Sequence, residues 1–162
     1  MKRRAGALAL ALIPTLVLAG LAGCGWEPSS RVAPDPNAAR SDEVARDGDI
    51  ALRASAIQTR LLSPAIAQRY GAAHDERTVL VVVSLRQGDD ATAVALPARV
   101  TVVASDLLGR DQALAMREMR DGELLDYVGV ATVSPPETLR FEVVAIRADG
   151  KRQTLRFHRD FF

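Results

Sequence analysis

From Gly48 to Phe162 the chain alternates apolar and polar positions with the period of two that half-buried strands impose. Ile50, Leu52, Ala54 and Ala56 form one face of a first predicted strand. Thr78 to Leu85 is almost wholly β-branched or aliphatic, which predicts a central strand covered on both faces. Arg99 to Leu107 predicts a third strand ended by Leu108-Gly109, and Gln112 to Met119 a fourth closed by the hairpin dipeptide Asp121-Gly122. Glu123 to Val133 is the fifth, stopped by Ser134-Pro135-Pro136, and Thr138 to Arg147 pairs with Arg152 to Phe161 across Asp149-Gly150. Seven strands with closely spaced turn signals in these 115 residues predict an all-β, seven-stranded sandwich of immunoglobulin or fibronectin III kind.

One connection breaks the rhythm. Between the first two strands, Thr59 to Arg77 carries Ser63-Pro64 as N-cap and N1, then Ala65 to Tyr70, then Gly71, which together predict a short helix. A connection of this length serves either as a binding element or as a cover for the open end of the sandwich with Leu61, Leu62, Ile66 and Tyr70. Arg60, Arg69, Tyr70 and His74 are its candidate residues for a partner or ligand.

Upstream of the strands the pattern changes twice. Lys2, Arg3 and Arg4 precede an apolar run from Ala5 to Ala22, the layout of a secretory signal. Leu21-Ala22-Gly23-Cys24 resembles the lipobox of bacterial lipoproteins. That resemblance implies removal of residues 1–23, diacylglycerol on the Cys24 thiol and acylation of the new amino group. Pro14 and the small residues Gly20 and Gly23 count against an uncleaved membrane helix. Two or three acyl chains give membrane residence that one does not. Residues 24–47 comprise the lipidated cysteine and a tether containing Pro28, Pro34 and Pro36 among Ser, Ala and charged residues. The 23 residues after Cys24 would, as a flexible coil, place the domain about 27 Å from the lipid. Trp26 suits the membrane interface. Gly25, where Asp would retain a Gram-negative lipoprotein in the inner membrane, implies the periplasmic face of the outer membrane.

Composition narrows function mainly by exclusion. The chain has 21 Lys and Arg against 20 Asp and Glu, and loss of the three basic leader residues turns its formal charge from +1 to −2. No clustered basic face for nucleic acid is evident in that balance. Cys24 is the sole cysteine, so once it is acylated the domain has no thiol for a disulfide, a nucleophile or a thiolate metal site. His74 and His158 are the only imidazoles. His74-Asp75-Glu76 lacks a fourth ligand at metal spacing, Ser63, Ser84 and Ser105 lack a Gly-x-Ser-x-Gly elbow, and Asp89-Asp90 reads as a polar turn. Glu118, Glu123 and Asp126 fall around a hairpin where charge is ordinarily solvated. No cofactor, metal or catalytic residue is expected.

The strand region also resembles the bacterial family called domain of unknown function 4426, exported proteins with one such β domain. The marks are Leu62-Ser63-Pro64-Ala65-Ile66-Ala67 leading to Tyr70-Gly71, then Leu107-Leu108-Gly109, Arg120-Asp121-Gly122-Glu123 before Tyr127, Glu137-Thr138-Leu139-Arg140-Phe141, and Phe157 with Phe161-Phe162. Gln58 and Asp106 stand where the family pattern has Asn. The resemblance implies a fold and an exported compartment and supplies no catalytic residue. The expectation is therefore a membrane-anchored, non-enzymatic module for an envelope protein partner, held by the lipid bilayer through Cys24. A small-ligand or carbohydrate carrier is the alternative, although aromatic residues for sugar stacking make up only 4% of the chain, and a hydrolase centred on His74 comes third.

Overall fold

The computed structural model describes residues 42–89 and 92–162; the signal sequence, Cys24, Trp26 and most of the tether lie outside the described residues. Two antiparallel sheets face each other. One holds β1 (Glu43–Asp47), β2 (Ile50–Gln58), β3 (Thr78–Gln87), the two-residue β4 (Val94–Ala95), β7 (Arg117–Asp121) and β8 (Leu124–Thr132), in the order β1-β2-β3-β8-β7 with β4 paired to β3. The other holds β5 (Ala98–Ser105), β6 (Asp111–Leu114), β9 (Glu137–Arg147) and β10 (Arg152–Phe161), in the order β10-β9-β5-β6. The run β2-β3-β8-β7 opposite β5-β9-β10 is the immunoglobulin arrangement A-B-E-D opposite C-F-G, with β6 added beside β5.

The inward positions of both sheets build one core. Leu52, Val81, Val83 and Leu85 meet Val102, Leu139, Phe141 and Val143 between the sheets, all essentially inaccessible to solvent. Phe141 stacks on Phe157 with ring centroids 5.0 Å apart, filling the centre that a thiol-free domain has no disulfide to brace.

Ten strands replace the expected seven, for physical reasons that can be named. The expected fourth strand, Gln112 to Met119, is in fact two. Its first half, β6, pairs with β5 in one sheet, and its second half, β7, pairs with β8 in the other, so the chain changes sheets at Ala115-Met116. Gly129 makes that crossing possible: a Cβ there would lie 2.5 Å from Met116 Sδ and 3.3 Å from Leu114 Cβ. The tether assignment also needs correcting at its end, because residues 43–47 are strand β1, in register with β2 from Glu43 opposite Ala54 to Asp47 opposite Ile50. Only Ala45 packs against the core, too little to leave a periodic signal. The strand is held instead from the opposite sheet, by Gln153 donating to the Ala45 carbonyl (2.8 Å), Arg159 paired with Glu43 (2.9 Å) and Arg147 near Asp47 (3.8 Å).

The long connection folds as its residues predict. Ser63 accepts a hydrogen bond from the Ile66 amide (3.3 Å), Pro64 opens helix α1 (Pro64–Arg69), and Gly71 follows its end at φ +62°, a left-handed turn that favours glycine. Its buried side chain is Ala67, whereas Leu61 and Ile66, expected to cap the sandwich, are exposed. Arg117 and Val128 are register partners on one face of the sheet, and Arg117 donates to the Tyr70 carbonyl at the end of α1. The helix therefore lies over the outer side of this sheet, where Leu80 and Val128 are buried although they stand outside the main core. This supplies the second cover that the aliphatic β3 requires.

Candidate functional site

The four residues singled out on the connection are each tied into the protein. Arg60 donates to the Gln58 side chain (3.0 Å) and to the Phe162 carbonyl (2.8 Å). Arg69 pairs with Asp121 (2.6 Å) in the turn between β7 and β8. The Tyr70 carbonyl accepts from Arg117, and His74 Nε2 donates to the Leu62 carbonyl (3.0 Å). Arg60 thus points toward the final residues of the chain while Arg69 points toward a different hairpin, so these side chains do not converge on one cavity. Beneath them, the Thr59 hydroxyl donates to the Asp75 carbonyl (3.0 Å), the Arg60 amide donates to the same oxygen (3.0 Å), and the buried Gln58 amide donates to the Glu76 carbonyl. The Asp75 carboxyl is held below its ordinary value, first by the Thr78 hydroxyl and then by the Arg77 amide. The connection is a fastened strap.

A built concavity lies further along the same outer face, where α1 no longer covers the sheet. Strand alternation sends Leu52, Ala54, Val83 and Leu85 inward, and so it sends Arg53, Ser55, Ser84 and Arg86 outward; Arg53 and Ser84 are register partners. Asp126, next to the inward Tyr127 on β8, joins them. Together with Asp42, Val82, Gly88 and Ala93 these residues line a groove of about 440 Å³. Ser55 and Ser84 are 8% and 9% exposed, so the floor of the groove is polar and largely withdrawn from solvent.

The electrostatics of the groove follow from its walls. Burial raises the Asp126 carboxyl above its ordinary value; Arg86, 3.9 Å away, opposes that rise, and Asp42 adds to it. Two hydroxyls, two guanidinium groups and two carboxylates therefore face one partly desolvated space. Such a set recognises polar groups of both signs through directional hydrogen bonds. The two imidazoles are elsewhere: His74 is bonded to Leu62, and His158 lines a shallow concavity on the outer face of the other sheet. Among the described residues, no group of three or more His, Cys, Asp or Glu side chains is placed to hold a metal ion, and no helix is long and apolar enough to cross a membrane.

The signal for this groove was present in the chain as Ser84 and Arg86 interrupting an aliphatic strand and Arg53 and Ser55 alternating with Leu52 and Ala54. Reading Ser84 only as a possible nucleophile hid it. The departures at Gln58 and Asp106 prove structural. Asp106 accepts from the Leu108 amide (2.8 Å), the Arg110 amide (2.9 Å) and the Arg110 guanidinium, which fixes the turn between β5 and β6. These contacts, led by the Arg110 amide, hold its carboxyl below the ordinary value.

Comparison with known proteins sets this geometry in context. A family model described as domain of unknown function (DUF4426) matches residues 44–162. The crystal structure of a DUF4426 family protein from Pseudomonas aeruginosa PAO1 is similar to this chain with a TM-score of 0.64 and 22% sequence identity, covering 76% of this chain and 96% of that one. At that identity the likeness is one of fold. No curated protein matches the chain.

Proposed function

The chain belongs to the DUF4426 family, and from that premise we propose that it is a membrane-anchored, non-enzymatic binding module of the cell envelope. Its contact surface is the groove on the outer face of the β1-β2-β3-β8-β7 sheet. The observation that carries the reading is the row of Arg53, Ser55, Ser84, Arg86 and Asp126 around one partly desolvated space of about 440 Å³. The lipobox-like Leu21-Ala22-Gly23-Cys24 supports acylation of Cys24, and Gly25 after it supports the periplasmic face of the outer membrane. The partner is an envelope protein that presents polar groups of both signs.

A face suits such a partner better than an edge. β1 and β10 are fastened to each other through Gln153 and Ala45, and on the opposite side the chain itself crosses between the sheets at Ala115-Met116. The outermost strand there, β7, carries Arg117, Glu118, Arg120 and Asp121, charges that discourage strand addition.

Crosslinking in intact cells followed by pull-down of tagged protein tests the reading, comparing wild type with Cys24→Ser and Arg86→Glu. A stoichiometric envelope partner lost in both variants is the expected result. Retention by Arg86→Glu would remove the groove from the account, and retention by Cys24→Ser would remove the anchor. A second reading, a carrier of a small polar ligand, is favoured by the size of the groove, which falls within the range of small-molecule sites. A thermal-shift panel of small polar compounds separates the two, because a ligand held in the groove raises the melting temperature of wild type and not of Arg86→Glu.

A further inference from the structure

Four apolar side chains break the surface at one end of the sandwich: Leu108 is 82% exposed, Phe162 67%, Leu107 61% and Leu61 38%. They are neighbours. Leu107, Leu108 and Phe162 line one concavity of about 270 Å³, and Phe162 shares a second, of about 90 Å³, with Leu61. Soluble surfaces scatter apolar side chains singly, and a contiguous set marks a contact. The backbone that presents this set is stiff. The Asp106 carboxylate holds the amides of Leu108 and Arg110, and Arg60 holds the Phe162 carbonyl.

The direction of the chain says what the end faces. β1 runs antiparallel to β2, and β2 ends at Gln58 beside the turn that carries Leu61. The chain therefore enters the domain from the side of the apolar end. Cys24 lies 18 residues before Asp42, a distance of at most about 60 Å even when fully extended. An acylated Cys24 draws this end, and not the opposite one, toward the bilayer. Arg60 and Arg110 flank the apolar set, each with a long stem that can lie along apolar surface while its guanidinium meets lipid phosphate.

We infer that the end formed by Leu61, Leu107, Leu108 and Phe162 seats in the interfacial layer of the membrane that holds the anchor. The inference rests on the reading of Cys24 as acylated. Seated in this way, the domain keeps the outer face of its larger sheet directed sideways, so the groove stays open to a partner.

The test uses the full chain in vesicles of phosphatidylethanolamine and phosphatidylglycerol with brominated acyl chains. In a Trp26→Phe background, a reporter is placed as Leu108→Trp at the apolar end or as Leu124→Trp at the opposite end, and Cys24 acylation is measured by mass. The expected result is an acylated Cys24, a blue-shifted and strongly quenched Leu108→Trp, and an unquenched Leu124→Trp. Equal quenching of the two reporters, or none in either, with Cys24 acylated overturns the seating while leaving the anchor intact. A blue shift at Leu108→Trp without quenching assigns the surface to a protein contact and overturns it as well. An unacylated Cys24 overturns the anchor, and the seating with it.

Discussion

Gln112 and Thr132 exchange two hydrogen bonds across the sandwich: the Gln112 amide donates to the Thr132 carbonyl (2.8 Å), and its Oε1 accepts from the Thr132 amide (2.9 Å). The pairing of β7 with β8 stops at Val128, because the chain has come from the other sheet. Past that point Thr132 has no strand beside it on this edge. The side-chain amide of Gln112, shaped like a peptide group, takes the place of the missing strand and joins the two sheets.

Gln112→Ala is expected to lower stability by about 1–2 kcal/mol, the net worth of two such bonds. Gln112→Glu keeps the acceptor for the Thr132 amide but turns a carboxylate oxygen toward its carbonyl, so it is expected to be no better than Ala. Urea unfolding of both variants measures this, and a wild-type midpoint in Gln112→Glu would show that the donated bond contributes nothing.

The crossing between sheets depends equally on Gly129. Gly129→Ala brings a methyl group against Met116 and Leu114 and is expected to cost about 1–3 kcal/mol by overpacking. Shortening Met116 to Ala in the same chain returns space at the closest contact. A double-mutant cycle is expected to show favourable coupling between the two changes, and strict additivity would place the strain elsewhere.

Two carboxylates give opposite pH signatures. Asp106 sits below its ordinary value in the folded protein, so the unfolded chain binds its proton more readily; the stability it contributes is present above about 3.8 and is lost as pH falls through the folded value. Asp126 sits above its ordinary value, so the folded state holds the proton more tightly and stability declines as pH rises through that window. Asp106→Asn is expected to lower the melting temperature at neutral pH, mildly because Oδ1 still accepts the two turn amides, with the gap to wild type closing in acid. Asp126→Asn is expected to raise it at neutral pH, again with the gap closing in acid. A neutral-pH change of the opposite sign in either variant would contradict the assigned cause.

The residue pattern carried the fold further than it carried the site. Alternation placed the sandwich strands because each inward position adds to a shared core, and Ser63, Pro64 and Gly71 marked both ends of α1 through local chemistry alone. Strand β1 was illegible because it contributes little more than Ala45 to the core and is held by side chains more than a hundred residues away. The split between β6 and β7 was illegible for a related reason: alternation continues through Ala115-Met116 while the hydrogen-bonding partner changes. The groove needs three strands brought side by side, so no window of the chain contains it. Arg60, Arg69, Tyr70 and His74 stood out because they lie close together in sequence, yet their bonds reach Phe162, Asp121, Arg117 and Leu62.

The central claim is that the groove is the surface through which the anchored domain meets its partner. Ala93 lines that groove, whereas Arg156 lies on the outer face of the other sheet. A photo-reactive amino acid placed at Ala93 or at Arg156 in intact cells therefore reports on the two faces separately. The account predicts a discrete adduct from Ala93 that disappears when Arg86→Glu is added, and none from Arg156. The same adduct from both positions, or an Ala93 adduct that survives Arg86→Glu, would contradict it.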